Sequence, residues 1–439
     1  MNRALPALAA LPLTALLLAA APLPRPDQAD QRATLTALVG FGTRATTSTT
    51  TDPKRGIGAA RRWAAARFAR ISRDCSDCLR IETIGRSFNG PRAPAGVRVE
   101  DVVAVQRGTS DPDRVVIIMA HIDSRNSDEL DGVGDAPGAN DDGSGVALVI
   151  EAARLLSHQK FAATIVYSLN SGEEQGLWGG QLLAATAKAR GWQVAAVLNN
   201  DIVGNTHGIG GEHVDNRVRV FSEGIRAAAD ADQIKAQRAN GGEDDSPSRS
   251  LAKAIRRVAL ANSQAGLEVI AVRRSDRFMR GGDHTSFLEA GYPAVRFTEA
   301  TENYDRQHQN VRTEAGRHYG DTLEFIDFPY LAKVTAVNVA VARELASAPA
   351  APADVTIAGA VSNDTHVAWA PVAGAAGYRV RWRRADSVDW TDQRDVPASA
   401  SSAGLLHINI DDHFFGVAAL AAEGSESLVS FAGPAPRKP

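Results

Sequence analysis

The sequence predicts an α/β architecture: a mostly parallel, mixed central sheet with helices on both faces, followed by a small C-terminal all-β sandwich. Three observations carry this. Apolar runs at residues 115–119, 162–169 and 194–199 each lead through a polar turn toward a helical pattern, and strand-then-helix units in succession build parallel sheets. Residues 346–354 (ASAPAAPAD) form an Ala/Pro stretch of the semi-rigid linker type. Past it come short alternating strands with no helical pattern over ~80 residues, which suits a sandwich. A length of 439 residues fits two such units.

Composition bounds the partners. With 44% apolar and 23% charged residues the chain is of ordinary globular type, and a formal net charge of −3 makes no electrostatic case for nucleic acid or anionic membranes. Near the N-terminus, Arg3 precedes an almost wholly apolar segment ending in Ala19-Ala20-Ala21, the small-residue pattern a signal peptidase accepts. Residues 1–21 are therefore expected to be an export signal; Pro22 disfavours cleavage there and shifts it toward Ala29. No later segment has the ~18 apolar residues of a membrane span. The two cysteines, Cys75 and Cys78, are expected to form a small disulfide, since a zinc ribbon would need a second pair.

The elements follow in order. Residues 27–40 and 57–71 have helical periodicity, the latter with Arg61, Arg62, Arg67 and Arg70 on a solvated face. Residues 81–88 and 97–106 alternate like edge or antiparallel strands. Residues 115–119 (VVIIM) read as a strand buried on both faces. A helix is expected over 143–158, a buried strand over 162–169, a helix over 177–189 and a strand over 194–199. After a polar loop at 240–248, Ser246 and Pro247 supply an N-cap and first-turn proline for a helix reaching Ala261. Residues 267–272 and 294–298 look like the last strands, and 331–346 like a closing helix. Beyond the linker, strands are expected at 355–358, 365–369, 378–383, 405–410, 415–420 and 427–431, around Trp369, Tyr378 and Trp382. The run from Trp369 to Trp382 resembles a fibronectin type III domain.

Chemistry gathers where the buried strands end. His121 and Asp123 leave the first strand on one face. Asp141 and Asp142 precede the next helix, Glu173 and Glu174 follow the second strand, and Asp201 follows the third. Open α/β sheets place their ligands at that edge. With a histidine from residues 302–312, the residues His121, Asp141, Glu174 and Asp201 read as candidate metal ligands.

The motifs H-I-D at 121–123, G-A-N-D-D-G-S-G at 138–145, S-G-E-E-Q-G-L at 171–177 and N-D-I-V-G at 200–204 resemble the co-catalytic zinc aminopeptidase family. Bacterial leucyl aminopeptidases belong to it, and carboxypeptidases and glutaminyl cyclases are related branches. The likeness covers roughly Ile57 to Ala346, and D-H-T-S-F-L-E-A-G-Y-P-A at 283–294 is similar to the family's last strand region. It implies a zinc peptidase domain at residues 27–346; composition and strand pattern then put the linker at 347–354 and the fibronectin-like sandwich at 355–433. It also implies that Asp141 bridges two metals, with His121 and Asp201 on one, Glu174 and His308 on the other, and Glu173 as general base. Asp123 would accept a hydrogen bond from the free nitrogen of His121. A cis peptide between Asp141 and Asp142 is implied as well. His308 is preferred to His284 and His318, although the run N-Y-D-R-Q-H at 303–308 departs from the family's H-T-x-x-D-T pattern.

The residue types make chemical sense of this. Three carboxylates and a bridging hydroxide balance two divalent cations, and two imidazoles favour zinc, or cobalt, over magnesium. A metal pair ~3.5–4 Å apart acidifies a shared water, and a Glu173 not spent on metal can take its proton. The expectation is an exported metallo-exopeptidase acting on peptides, an aminopeptidase first. Carboxypeptidase or dipeptidase activity is the alternative, followed by glutaminyl cyclase and a non-catalytic receptor-like ectodomain. Other features are read as bland: Glu243-Asp244-Asp245 as a solvated acidic loop, Arg277 and Arg280 as surface charges, Trp178 as packing, and His284 as lining the pocket or supporting the strand. Tyr304 is left between an oxyanion donor and a packed loop aromatic.

Overall fold

The computed structural model describes residues 25–262 and 266–434; the expected export signal lies outside them. Its organising element is an eight-stranded sheet built from β1 (Leu79–Gly90), β2 (Ala93–Gln106), β3 (Asp111–His121), β4 (Ala163–Asn170), β5 (Gln193–Asn200), β6 (Arg217–Phe221), β7 (Glu268–Val272) and β8 (Ala294–Glu299). The order is β1-β2-β4-β3-β5-β8-β6-β7. The centre, β4-β3-β5-β8, is parallel, while β1-β2, β2-β4 and β6-β8 pair antiparallel. A mixed, mostly parallel sheet was expected, and its cause is visible in β3. Successive side chains on a strand point to opposite faces. Val116, Ile118 and Ala120 accordingly pack into one core, and Val115, Ile117 and Met119 into a second.

Those two cores define the helical layers. On one face lie α1 (Gln28–Val39), α2 (Gly56–Asp74) and α3 (Gly143–Leu156). The short α4 (Glu173–Gly176) sits at the sheet edge, and α5 (Trp178–Ala189) covers the other face. After the solvated α6 (Ala231–Ala239), α7 (Pro247–Ala261) joins the first layer, α8 (His284–Glu289) the second, and α9 (Phe328–Ser347) the first. Ser246 caps α7 by accepting from the Arg249 amide, as its position before Pro247 implied. Cys75 and Cys78 are disulfide-bonded.

The structure departs from expectation where patterns are short or charged. β6, with Arg217 and Arg219 in five residues, has no long apolar run to announce it. α6 buries none of its residues, so no apolar stripe marks it. The loop at residues 243–245 is not simply solvated: Asp245 is buried against Lys253 and Arg383. Arg277 is likewise not a free surface charge, being half-buried between Asp276 and Glu302. Trp178 packs against Val99 and Leu182 and stacks on Phe88.

After α9 the chain forms two four-stranded sheets around Trp369, Tyr378 and Phe415. The strand expected at 405–410 instead ends at Leu405, because the next residues turn: Leu406 is exposed, His407 has φ 59° and its amide binds the Asp364 carboxylate. Asp392–Pro397 is an added strand whose residues lie almost wholly in solvent.

Candidate metal centre

Each candidate ligand is placed by a different junction of the sheet. β3 ends at His121 and β5 is followed by Asp201, so the parallel pairing of these strands brings both residues to one edge. Asp142 caps α3 by accepting from the Gly145 amide, which leaves the preceding Asp141 free to face the sheet edge. The Asp141–Asp142 peptide is cis, as the resemblance implied. Glu173 and Glu174, which follow the second expected strand, occupy the single helical turn of α4, with Gly172 at φ 77° before it and Leu177 at φ 57° after it. His308 comes from the loop after β8 and itself has φ 53°.

These side chains converge. His121 Nε2 lies 3.1 Å from Asp141 Oδ1 and 3.9 Å from Asp201 Oδ1. His308 Nε2 lies 3.0 Å from Asp141 Oδ2 and 3.1 Å from Glu174 Oε1. Two ligand triads result, His121–Asp141–Asp201 and Asp141–Glu174–His308, each with donor atoms within 4.8 Å of one another. Asp141 belongs to both and turns one oxygen to each. His284 and His318 are elsewhere: His284 is buried with Nε2 at the Ser275 carbonyl, and His318 lies on an exposed hairpin.

Two tests bear on whether the triads suit metal ions. The donors are imidazole nitrogens and carboxylate oxygens in the mixture that zinc prefers. Glu174 Oε1 is also buried and lacks a hydrogen-bond partner, a costly condition unless a cation meets it. The chain's own charges point the same way. Burial opposes a proton on His308, but Glu174 and Asp141 outweigh it and push the ring up to about 10. At His121, burial is overcome by Glu173, Asp123 and Asp141, which also push that ring up. Burial raises the Glu173 carboxyl, helped by Asp201 and Glu174 and opposed by His121. Such a concentration of carboxylates attracts positive charge.

Around the ligands the structure adds three residues. His121 Nδ1 lies 3.1 Å from the main-chain oxygen of Asp123 and 3.5 Å from its carboxylate. That carboxylate also accepts from Thr46 Oγ1 at 3.0 Å and from the Glu173 and Glu174 amides at 3.4 and 3.2 Å. Asp123 therefore pins the turn that carries both glutamates. Arg296 holds Asp201 at 2.6 Å, Arg125 holds Glu174 at 3.2 Å, and Asp321 accepts from the Asp141 amide at 2.7 Å. A lone arginine inside the apolar strand AVRFTE was the sequence signal for Arg296. Arg125 and Asp321 gave none.

Comparison with known proteins agrees with this geometry. The model of peptidase family M28 matches residues 101–326, a span holding every ligand of both triads. The chain is 41% identical over 408 residues to a probable zinc metalloprotease of Leptosphaeria maculans, covering 92% of this chain and 94% of that protein. The chain belongs to peptidase family M28. A probable zinc metalloprotease of Pyricularia oryzae is 42% identical over 418 residues, covering 93% of this chain and 83% of that one. Spans of this length must include much of the C-terminal strands. Among solved structures, the LapA aminopeptidase of Legionella pneumophila has the same core fold, with a TM-score of 0.53 at 20% identity over 73% of this chain and 71% of that chain. As an M28 member with two triads of zinc-type donors, the chain is a zinc-dependent metallopeptidase of peptides. None of its described helices is long and apolar enough to cross a membrane.

Proposed function

We propose that this M28 peptidase is an exported aminopeptidase, releasing N-terminal residues from peptides at a di-zinc centre. The observation that carries the reading is the division of Asp141, one oxygen 3.1 Å from His121 Nε2 and the other 3.0 Å from His308 Nε2. A carboxylate so shared is the natural bridge between two cations. His121 and Asp201 would complete one site, Glu174 and His308 the other. When bound, the two ions supply Lewis acidity for the peptide carbonyl and for a water.

The chain's own residues do the rest. Glu173 lies beside the triads without belonging to either, so its carboxylate is free to take the proton of the attacking water and pass it to the leaving nitrogen. Its raised proton affinity suits that exchange. Asp123 holds the Glu173 and Glu174 amides and so keeps base and ligand on one fixed turn. It acts as a positioning residue.

Two further readings accompany this one. Residues 27–346 form the peptidase domain, 347–354 a linker, and 355–433 a fibronectin type III-like accessory domain, a reading supported by the separate core around Trp369 and Tyr378. Export to the periplasm or medium is supported by the apolar segment at residues 4–21 and by the Cys75–Cys78 disulfide.

A panel of peptides with free or blocked termini, run with and without chelator, tests the assignment. Cleavage should require a free N-terminus and zinc. Cleavage that requires a free C-terminus would make the enzyme a carboxypeptidase, and cyclisation of N-terminal glutamine would make it a glutaminyl cyclase.

A further inference from the structure

At the β7 edge of the sheet, β6 and β7 run parallel and end at Phe221 and Val272. A depression there is lined by Arg219, Arg273, Arg274, Arg277 and Glu302, beside the exposed rings of Phe278 and Tyr304. Positive charge prevails in it, although the whole chain is net negative. Nearby acids do not cancel the excess. Glu302 is shared by three guanidinium groups, Arg219 at 2.6 Å, Arg277 at 3.1 Å and Arg280 at 3.2 Å. Asp244 meets one nitrogen of Arg273 at 3.1 Å. Arg274 pairs with no acid among the described residues, and its guanidinium stands 5.6 Å from the centre of the Phe278 ring.

The depression adjoins the metal centre. Three ion pairs in line connect the candidate ligand Asp201 to Arg277: Asp201 to Arg296 at 2.6 Å, Arg296 to Asp276 at 3.5 Å, and Asp276 to Arg277 at 3.1 Å. Glu302 and Tyr304 lie on the loop that carries His308. A peptide held at the metals therefore passes within reach of these arginines. The anions such a peptide offers are carboxylates, on Asp and Glu side chains or at its C-terminus. Guanidinium groups bind carboxylates through paired N–H donors, and a local excess of positive charge draws them in.

We propose that this arginine-lined depression binds a carboxylate of the peptide substrate, so that the enzyme cleaves peptides carrying a carboxylate at the matching position better than neutral ones. The proposal rests on the reading of the chain as a di-zinc peptidase and adds a substrate class to it. A side-chain carboxylate and the C-terminal one present the same two oxygens, and the test separates them.

The test compares kcat/KM of the full-length, zinc-loaded enzyme on a series of pentapeptides. A neutral peptide with an amidated C-terminus is the reference. The others carry Glu at the first, second or third position, or the neutral sequence with a free C-terminus. One of these should exceed the reference by roughly tenfold, about what one charged hydrogen bond contributes, and its position identifies the carboxylate. Arg273 and Arg274 are exposed, so their substitution does not threaten folding. Arg274→Gln should cut the advantage severalfold, and Arg273→Gln with Arg274→Gln should bring it close to one. Because the advantage is a ratio within one variant, any loss of folded enzyme cancels. No advantage in wild type, or one that the double variant keeps, would overturn the proposal. Mass spectrometry of the released residue reads the aminopeptidase assignment separately. Release of the C-terminal residue, with an advantage that the double variant loses, would overturn that assignment and uphold the carboxylate site. Failure to cleave any of the peptides would overturn both.

Discussion

At the boundary between the α/β core and the C-terminal strands, Asp245 and Glu426 are as buried as Asp141 and Glu174 at the metal centre. At the boundary each acid has cations of its own. Asp245 is paired with Lys253 and Arg383, and Glu426 with Arg381 at 2.6 Å and Arg379 at 2.9 Å. At the metal centre Asp141 faces two histidines, and Glu174, with Arg125 3.2 Å from one oxygen, keeps the other buried without a hydrogen-bond partner. Burying a charge is costly unless it is paired. Where the chain's own cations meet both oxygens of the acid, the contact is structural; where an oxygen is left over, as at Glu174, it is open to a cation from outside and the site is functional.

The comparison can be broken in four ways. The largest effect is expected at Glu173. Glu173→Gln should lower turnover by ~10²–10⁴-fold, the contribution of a positioned acid–base group, while the protein still carries two zinc ions by elemental analysis. Activity near wild type would remove Glu173 as the base. Next, Arg383→Met leaves Asp245 with one buried partner fewer and should cost about 3–5 kcal/mol in denaturant unfolding. Turnover per folded molecule should stay close to wild type, and a loss of turnover without a loss of stability would contradict the structural role given to the boundary.

Metal removal should act the other way round, on the functional acids. Chelation should abolish hydrolysis and zinc restore it, and zinc at 100 times its dissociation constant should stabilise the fold by about 2.7 kcal/mol per site in thermal unfolding. No zinc-dependent rise in Tm would show that the triads do not bind the ion.

The smallest effect is a pH dependence. Burial pushes the Glu426 carboxyl up, but the hydrogen bond from Arg381 and the charges of Arg257, Arg381 and Arg379 hold it below the ordinary carboxylate range. A folded pKa below the unfolded value of about 4.3 gives stability that is present above that pH and disappears as pH falls through the folded value. The stability gap between wild type and Glu426→Gln should therefore be widest near neutrality and close on acidification. A gap that widens in acid would reverse the sign of this pairing.

Much of the site was legible because its residues sit at punctuation marks of the chain. His121 ends an apolar strand, Asp141 precedes a helix cap, and Asp201 follows another strand, so local periodicity alone placed them at one sheet edge. His308 was reached only through the resemblance, since its loop has no periodicity to read. The division of labour between Asp141 and Asp142, one facing the metals and one capping α3, could not be read from two adjacent identical letters.

Local patterning was enough for the strand-then-helix order, the change of texture after the Ala/Pro linker, and the edge at which the ligands meet, because these depend on periods of two and of about 3.6 along the chain. Tertiary structure alone decided the partners of long charged side chains. Asp245 and Arg383 stand 138 positions apart, and Arg125 and His308 stand 183 apart. A guanidinium reaches several ångströms beyond its backbone, so its partner is chosen by how distant elements pack, and no local pattern carries that information.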